Sequence, residues 1–175
     1  CLLAAKSLGY HGPRSTPVAA AVEFVHTATL LHDDVIDNAQ LRRGRPSCNA
    51  IWDNKMSVLV GDFLYCQVSS IITEDGDLRA LKCITDATLT TTEGEVLEIT
   101  KAHELDLSEA DYFKIVAFKT GMLMACASEM GEPELSSESS IEISTAKPST
   151  SPSNPNWLAQ AQISLRSHLV ETITV

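Results

Sequence analysis

Asp33, Asp34 and Asp37 close the apolar run Leu30-Leu31-His32, and Arg42-Arg43-Gly44 follows a few residues later. Asp33 and Asp37 are four positions apart, so a helix carries them on one face, one turn apart. Two such carboxylates repel each other unless a hard divalent cation stands between them. Mg²⁺ suits that position, because it accepts carboxylate oxygens and keeps other sites for water and phosphate oxygens. Arg42 and Arg43 add forked donors for phosphate oxygens. These residue types predict a site for Mg²⁺ and a diphosphate. A solvated acidic helix end before a basic loop fits less well, because the acids continue a segment too apolar for a surface helix.

That segment must position the acids. Pro17 suits a first helical turn, and Val18 to Leu31 is mostly Ala, Val, Phe and Leu. Such a helix is buried on most sides, yet it is too short and too interrupted by Glu23 and His26 to span a membrane. His26, Thr29, Asp33 and Asp37 step by three and four along one stripe. A polar stripe inside an apolar helix predicts a lined cavity that ends in the metal site. His26 taken alone reads as a core histidine bonded to backbone; in register with the aspartates the cavity reading stands level with it.

The rest of the chain predicts helices near 1–9, 18–38, 55–72, 77–101 and 108–130, with a loop over 39–48 that holds the arginines. Glu74-Asp75-Gly76-Asp77 reads as a turn, and Ser108 with Asp111 as a capping box. Gly94 lies inside a helical pattern at a cost of roughly 1 kcal/mol relative to Ala, which a close helix crossing or a substrate approach would explain. From Pro133 to Asn156 the composition shifts to Ser, Thr, Pro and Glu. Residues 132–156 therefore read as a linker or disordered tail, and 157–175 as a short segment able to dock as a helix.

A net charge of −10 opposes nucleic-acid binding through a basic surface. Five cysteines (Cys1, Cys48, Cys66, Cys83 and Cys126) are widely spaced, with no CxxC, which points to a reduced, cytoplasmic protein or one inside an organelle. No signal peptide is visible, although the chain opens at Cys1.

Over roughly residues 1–131 the chain resembles the trans-type polyprenyl diphosphate synthases. The matching blocks are Glu23-Phe24-Val25-His26-Thr27-Ala28-Thr29-Leu30-Leu31-His32-Asp33-Asp34-Val35-Ile36-Asp37, Leu41-Arg42-Arg43-Gly44, Ser57-Val58-Leu59-Val60-Gly61-Asp62-Phe63, Gly94-Glu95-Val96-Leu97 and Lys119-Thr120. A bare DDxxD is a weak signal, but its combination with the RRG, the VGDF block and the KT pair is strong. The resemblance implies an all-α, isoprenoid-synthase-type helical bundle, here partial. It implies Mg²⁺-dependent condensation of isopentenyl diphosphate with an allylic diphosphate, farnesyl or geranylgeranyl.

In that reading Asp33 and Asp37 ligate Mg²⁺, and Asp34 stands behind them or on another ion. Arg42 holds the allylic diphosphate, and Arg43 and His26 hold isopentenyl diphosphate. Lys119 and Thr120 touch the allylic diphosphate, with Lys119 acting beside the aspartates in catalysis. Read without the resemblance, Lys119 is an exposed charge on a helix face. Ala28 and Thr29, small residues just upstream of the acids, imply a long product such as octaprenyl, solanesyl or decaprenyl diphosphate. The family also implies a homodimer, or a heteromer with a full synthase.

The pattern departs from the family in three places. The upstream Gly-Lys-Arg segment that grips isopentenyl diphosphate has no counterpart between Cys1 and Tyr10. After Gly131 there is no second aspartate cluster; adjacent aspartates occur only at Asp33-Asp34. Glu98 stands where long-chain members usually carry Gln, and it reads equally as a carboxylate near the second diphosphate or as a solvated helix residue. The resemblance thus implies the front half of a synthase, incomplete at both ends, whose own turnover stays open. A non-catalytic subunit or binding module is one alternative. A class I terpene cyclase is another, opposed by Arg42-Arg43 and Lys119-Thr120.

Overall fold

A computed structural model describes residues 1–132. In chain order it contains α1 (Leu2–Ser7), α2 (Ser15–Ile36), β1 (Leu41–Arg42), β2 (Arg45–Pro46), α3 (Cys48–Ile51), α4 (Asn54–Asp75), α5 (Leu78–Lys101), α6 (Glu109–Val116), a π-helical turn (Ala117–Gly121) and α7 (Met122–Glu129). The all-α class holds, since the two strands amount to one two-residue hairpin. The expectations for 132–156 and 157–175 fall, but for Glu132, outside the described residues.

The core grows from the apolar side of α2. Val18, Ala21, Val22 and Val25 recur at helical spacing and are buried. They pack with Val68 and Ile72 of α4, Ala80, Cys83, Ile84 and Ala87 of α5, and Cys126 in the middle of α7. α2 and α4 form the principal helix pair, and α5 packs on the π-turn and α7. Gly61 leaves room between α2 and α4 for the imidazole of His32, which a Cβ there would run into. All five cysteines are free thiols. Hydrogen bonding with Cys126, together with burial, pushes the Cys83 thiol up, so it stays protonated and inert.

The α4–α5 turn is held from a distance. Gly76 adopts φ 74° at the end of α4, and Asp77 accepts the amide of Arg79 at 3.0 Å to open α5. Arg14, just before α2, forks onto this turn: Nε donates to Asp75 Oδ1 at 2.6 Å and Nη2 to Oδ2 at 2.9 Å. The Asp75 side chain is only 9% exposed. Arg14→Met keeps the stem and removes the fork. Hydrogen bonds to charged groups are worth ~1.5–3 kcal/mol, so a loss of about 2 kcal/mol is expected in urea denaturation. An unchanged midpoint would show the clamp to be incidental.

Two segments depart from the sequence reading. The 39–48 loop contains a tight hairpin in which Arg43 (φ 51°) and Gly44 (φ 77°) are both left-handed, the geometry of a two-residue type I′ turn. Ser47 donates to the Ala39 carbonyl at 2.6 Å, and Asn49 donates to the carbonyls of Asp34 and Ala39 at 3.2 and 3.1 Å. These bonds fasten the hairpin to the end of α2. The helix expected over 108–130 is interrupted by the π-turn, although Ser108 does cap it by accepting the Asp111 amide at 3.1 Å.

One expectation concerned membranes. Among the described residues α4, 22 residues long, is long and apolar enough to cross one by length and composition. Its Val68 and Ile72 are buried against the other helices, while Leu59 and Phe63 are exposed at 62% and 59%.

Candidate active site

A cleft of about 440 Å³ opens between α2, α5 and the π-turn. Of the four residues of the stripe expected along α2, His26, Thr29 and Asp33 line it, and Asp37 is not among the lining residues. Asp37 caps the C-terminus of α2 and is exposed. Lys119 and Thr120 face the same cleft from the π-turn, and Thr91 and Glu95 from α5. π-turns concentrate at functional sites because the extra residue re-aims side chains out of the helical register.

Lys119 is not a free surface charge. Its Nζ lies 2.7 Å from Glu95 Oε2 and 2.5 Å from Glu98 Oε2. Burial lowers its basicity, but hydrogen bonds and charge from both glutamates more than offset that and hold it firmly protonated. The open reading of Glu98 is thereby narrowed: its carboxylate is a partner of Lys119.

The electrostatics at Asp33 run the other way. Burial, the charge of Glu95 and the charge of Asp37 raise its carboxyl, against the opposing pull of Lys119 and Arg42, and it is pushed up to about 6. Three aspartates also crowd the C-terminal end of α2, where the helix dipole is negative and acids are disfavoured. Both features are relieved by a bound cation, so the residues fit a hard divalent ion. Among the described residues, no three His, Cys, Asp or Glu side chains converge to cage one without help.

Neighbouring positions on a helix differ by about 100°, and this separates residues that the sequence places side by side. Asp33 lines the cleft, whereas Asp34 is buried at 2% exposure and bonded to Arg42. Asp34, expected as a further metal residue, is therefore engaged elsewhere. Thr29 lines the cleft, its hydroxyl donating to the His26 carbonyl at 2.8 Å, but Ala28 is fully buried and absent from the wall. The two small residues expected to shape product length thus occupy different surfaces. Arg43 is exposed at the hairpin tip and has no partner among the described residues.

The sequence reading did not single out Glu95, His32, Tyr65 or Thr91. Glu95 stood inside the quoted Gly94-Glu95-Val96-Leu97 block, three positions before Glu98, and that spacing was the available signal. His32 Nε2 sits 3.2 Å from the Val58 carbonyl and 3.5 Å from Asp62 Oδ1, with its ring 5.9 Å from Tyr65. Tyr65 and His32 line the cleft beside Asp33. His32 comes from α2 itself, and only the crossing of α4 over α2 brings Tyr65 there.

The chain is a helical bundle whose cleft sets an acid-rich helix end against a lysine paired with two glutamates. Among helical bundles of this kind the chain belongs to the polyprenyl synthetase family, which it matches over residues 1–148. It is 41% identical over 128 residues to the octaprenyl diphosphate synthase of Escherichia coli (strain K12), covering 73% of this chain and 40% of that protein. It is 41% identical over 140 residues to an all-trans-nonaprenyl-diphosphate synthase of Rhodobacter capsulatus, covering 77% and 43%. Among solved structures, a decaprenyl diphosphate synthase from Rhodobacter capsulatus superposes with a TM-score of 0.72 at 46% identity, over 73% of this chain and 39% of that one. A polyprenyl synthase from Caulobacter crescentus CB15, complexed with calcium and isoprenyl diphosphate, gives 0.71 at 46% identity, over 73% and 39%. The chain thus spans about two fifths of the length of the relatives it matches.

Proposed function

We propose that this chain carries the first-aspartate half of a Mg²⁺-dependent trans-prenyltransferase that joins isopentenyl diphosphate to an allylic diphosphate, farnesyl or geranylgeranyl. The observation that carries the reading is the cleft itself, with Asp33 raised to about 6 on one wall and Lys119 on the other. The chemistry a bound Mg²⁺ supplies is charge neutralisation of the leaving diphosphate. Asp33 and Asp37 would hold it, with water and phosphate oxygens completing its coordination. Lys119 presents a fixed positive charge toward the diphosphate, and Thr120 lies beside it. Arg42, Arg43 and His26 are the remaining candidates for phosphate contact. Leu30, Leu123 and Met124 supply apolar wall that keeps water from an allylic cation. Thr29 on that wall is small, which favours a long product. The five free thiols accord with a reducing, cytoplasmic location.

A second reading is a subunit or binding module that works with a full-length synthase. It is favoured by the name of one relative. A relative at 35% identity over 130 residues carries the name heptaprenyl diphosphate synthase component 2, from Geobacillus stearothermophilus.

Incorporation of labelled isopentenyl diphosphate onto farnesyl diphosphate with Mg²⁺, beside an Asp33→Ala control, tests both readings. Long-chain product that vanishes in the control supports catalysis by this chain. Product only on mixing with a complete synthase supports the subunit. Hydrocarbon released from the allylic diphosphate alone would overturn both in favour of a cyclase.

A further inference from the structure

We infer that Glu98 is a brake on diphosphate affinity: it holds the Lys119 ammonium in an ion pair that an incoming diphosphate must displace, and this rests on the prenyl-diphosphate reading of the same cleft. Among the described residues Lys119 is the one Lys or Arg that lines the cleft. Its Nζ lies 2.7 Å from Glu95 Oε2 and 2.5 Å from Glu98 Oε2. An ammonium has three N–H donors on a flexible stem. These carboxylates take two of them. Two carboxylates against one ammonium leave the trio a net anion, so the cation on the cleft wall is more than compensated before a ligand arrives.

The two glutamates act differently. Glu95 lines the cleft and its side chain is only 14% exposed, so an ammonium bonded to it still faces a ligand. Glu98 stands nearly one turn further along α5, is 48% exposed and is not among the cleft-lining residues. Its bond draws the ammonium toward the rim. The root of the lysine cannot follow, because the Lys119 amide is packed on α5, where a Cβ at Gly94 would stand 2.6 Å from it. Loss of Glu98 alone therefore leaves the Lys119 main chain in place and its ammonium on Glu95, with a second donor freed for phosphate oxygens. A half-exposed ion pair is weak enough to be displaced, which makes Glu98 a brake and not a block.

The test is calorimetric titration of this chain with farnesyl thiolodiphosphate at saturating Mg²⁺, for wild type, Glu98→Gln, Glu98→Ala and Glu93→Gln. Glu98→Gln is expected to tighten binding about threefold to fivefold, the range set by an exposed ion pair. Glu98→Ala, which also removes the acceptor, should tighten it at least as much. Damage to the fold weakens binding, so a gain in both variants cannot come from it. Glu93→Gln removes the same charge from α5 without touching the cleft wall or the Lys119 pairs, and it should leave affinity unchanged. Unchanged or weaker binding in Glu98→Gln and Glu98→Ala would overturn the inference and make Glu98 a support for Lys119. Equal tightening in Glu93→Gln would overturn it too, because general repulsion of an anion would then suffice. Failure of the wild-type chain to bind the probe at any Mg²⁺ concentration would instead overturn the prenyl-diphosphate reading itself, and the brake with it.

Discussion

Asp33→Asn is expected to remove Mg²⁺-dependent binding of an allylic diphosphate, lowering affinity at least ~100-fold, since a divalent ion on phosphate oxygens contributes several kcal/mol and each 1.36 kcal/mol is tenfold. The variant also isolates a pH effect. Burial, with the charges of Glu95 and Asp37, pushes the Asp33 carboxyl from 3.8 up to about 6. A raised carboxyl means that the folded, metal-free chain keeps a proton that the unfolded chain has already released. Stability from this group is therefore greatest below the unfolded value and declines as pH rises from about 4 to about 6. Wild type should lose melting temperature across that window relative to Asp33→Asn, which cannot ionise there. Mg²⁺ affinity should move oppositely, falling as pH drops through about 6, because proton and metal compete for one carboxylate. Parallel melting curves for the two proteins between pH 4 and 7 would contradict the electrostatic account of the site.

Gly94→Ala should be the most disruptive change outside the acids. A Cβ at Gly94 would stand 2.6 Å from the amide nitrogen of Lys119 and 2.8 Å from Phe118 Cβ. The obstacle is backbone, so α5 and the π-turn must separate. Alanine gains up to ~1 kcal/mol of helix propensity, but overpacking costs ~1–3 kcal/mol, and contact with main chain lies toward the upper end. A net loss of about 1–2 kcal/mol in urea is expected. The same displacement moves Lys119 off Glu95 and Glu98, so diphosphate affinity should fall together with stability. Gly61→Ala offers a contrast: the obstacle is the His32 ring, a side chain that can turn, so the structural response should be local. Wild-type stability and probe affinity in Gly94→Ala would show that the helix crossing does not set the site.

Much of the architecture was legible because it follows from local rules. The apolar spacing of α2, the Gly76 turn and the Ser108 cap were all readable at their positions. The cleft stripe His26, Thr29, Asp33 followed from helical periodicity alone, whereas Asp37, expected on the same stripe, is the exposed C-cap of α2 and is not among the cleft-lining residues. The hairpin was missed because Arg43-Gly44 is a weak turn signal, and its shape depends on Ser47 and Asn49 reaching back to Ala39. The π-turn was missed because it conserves the polar and apolar pattern of an α-helix while shifting register by one residue.

Residue types and spacing on this chain by themselves determined that one helix would carry acids on a lined face, that arginines would follow, and that the fold would be helical. Those properties depend on 3.6-residue periodicity and on side-chain chemistry, both of which act within a few residues. Only the tertiary structure decided which neighbour served which purpose. It turned Asp33 to the cleft and Asp34 to Arg42, put Thr29 on the wall and Ala28 in the interior, and set Glu95 and Glu98 of α5 against Lys119. Those choices depend on which helix faces cross and how closely, and close crossing is set by contacts between residues distant in the chain, such as Gly94 with the backbone of Lys119.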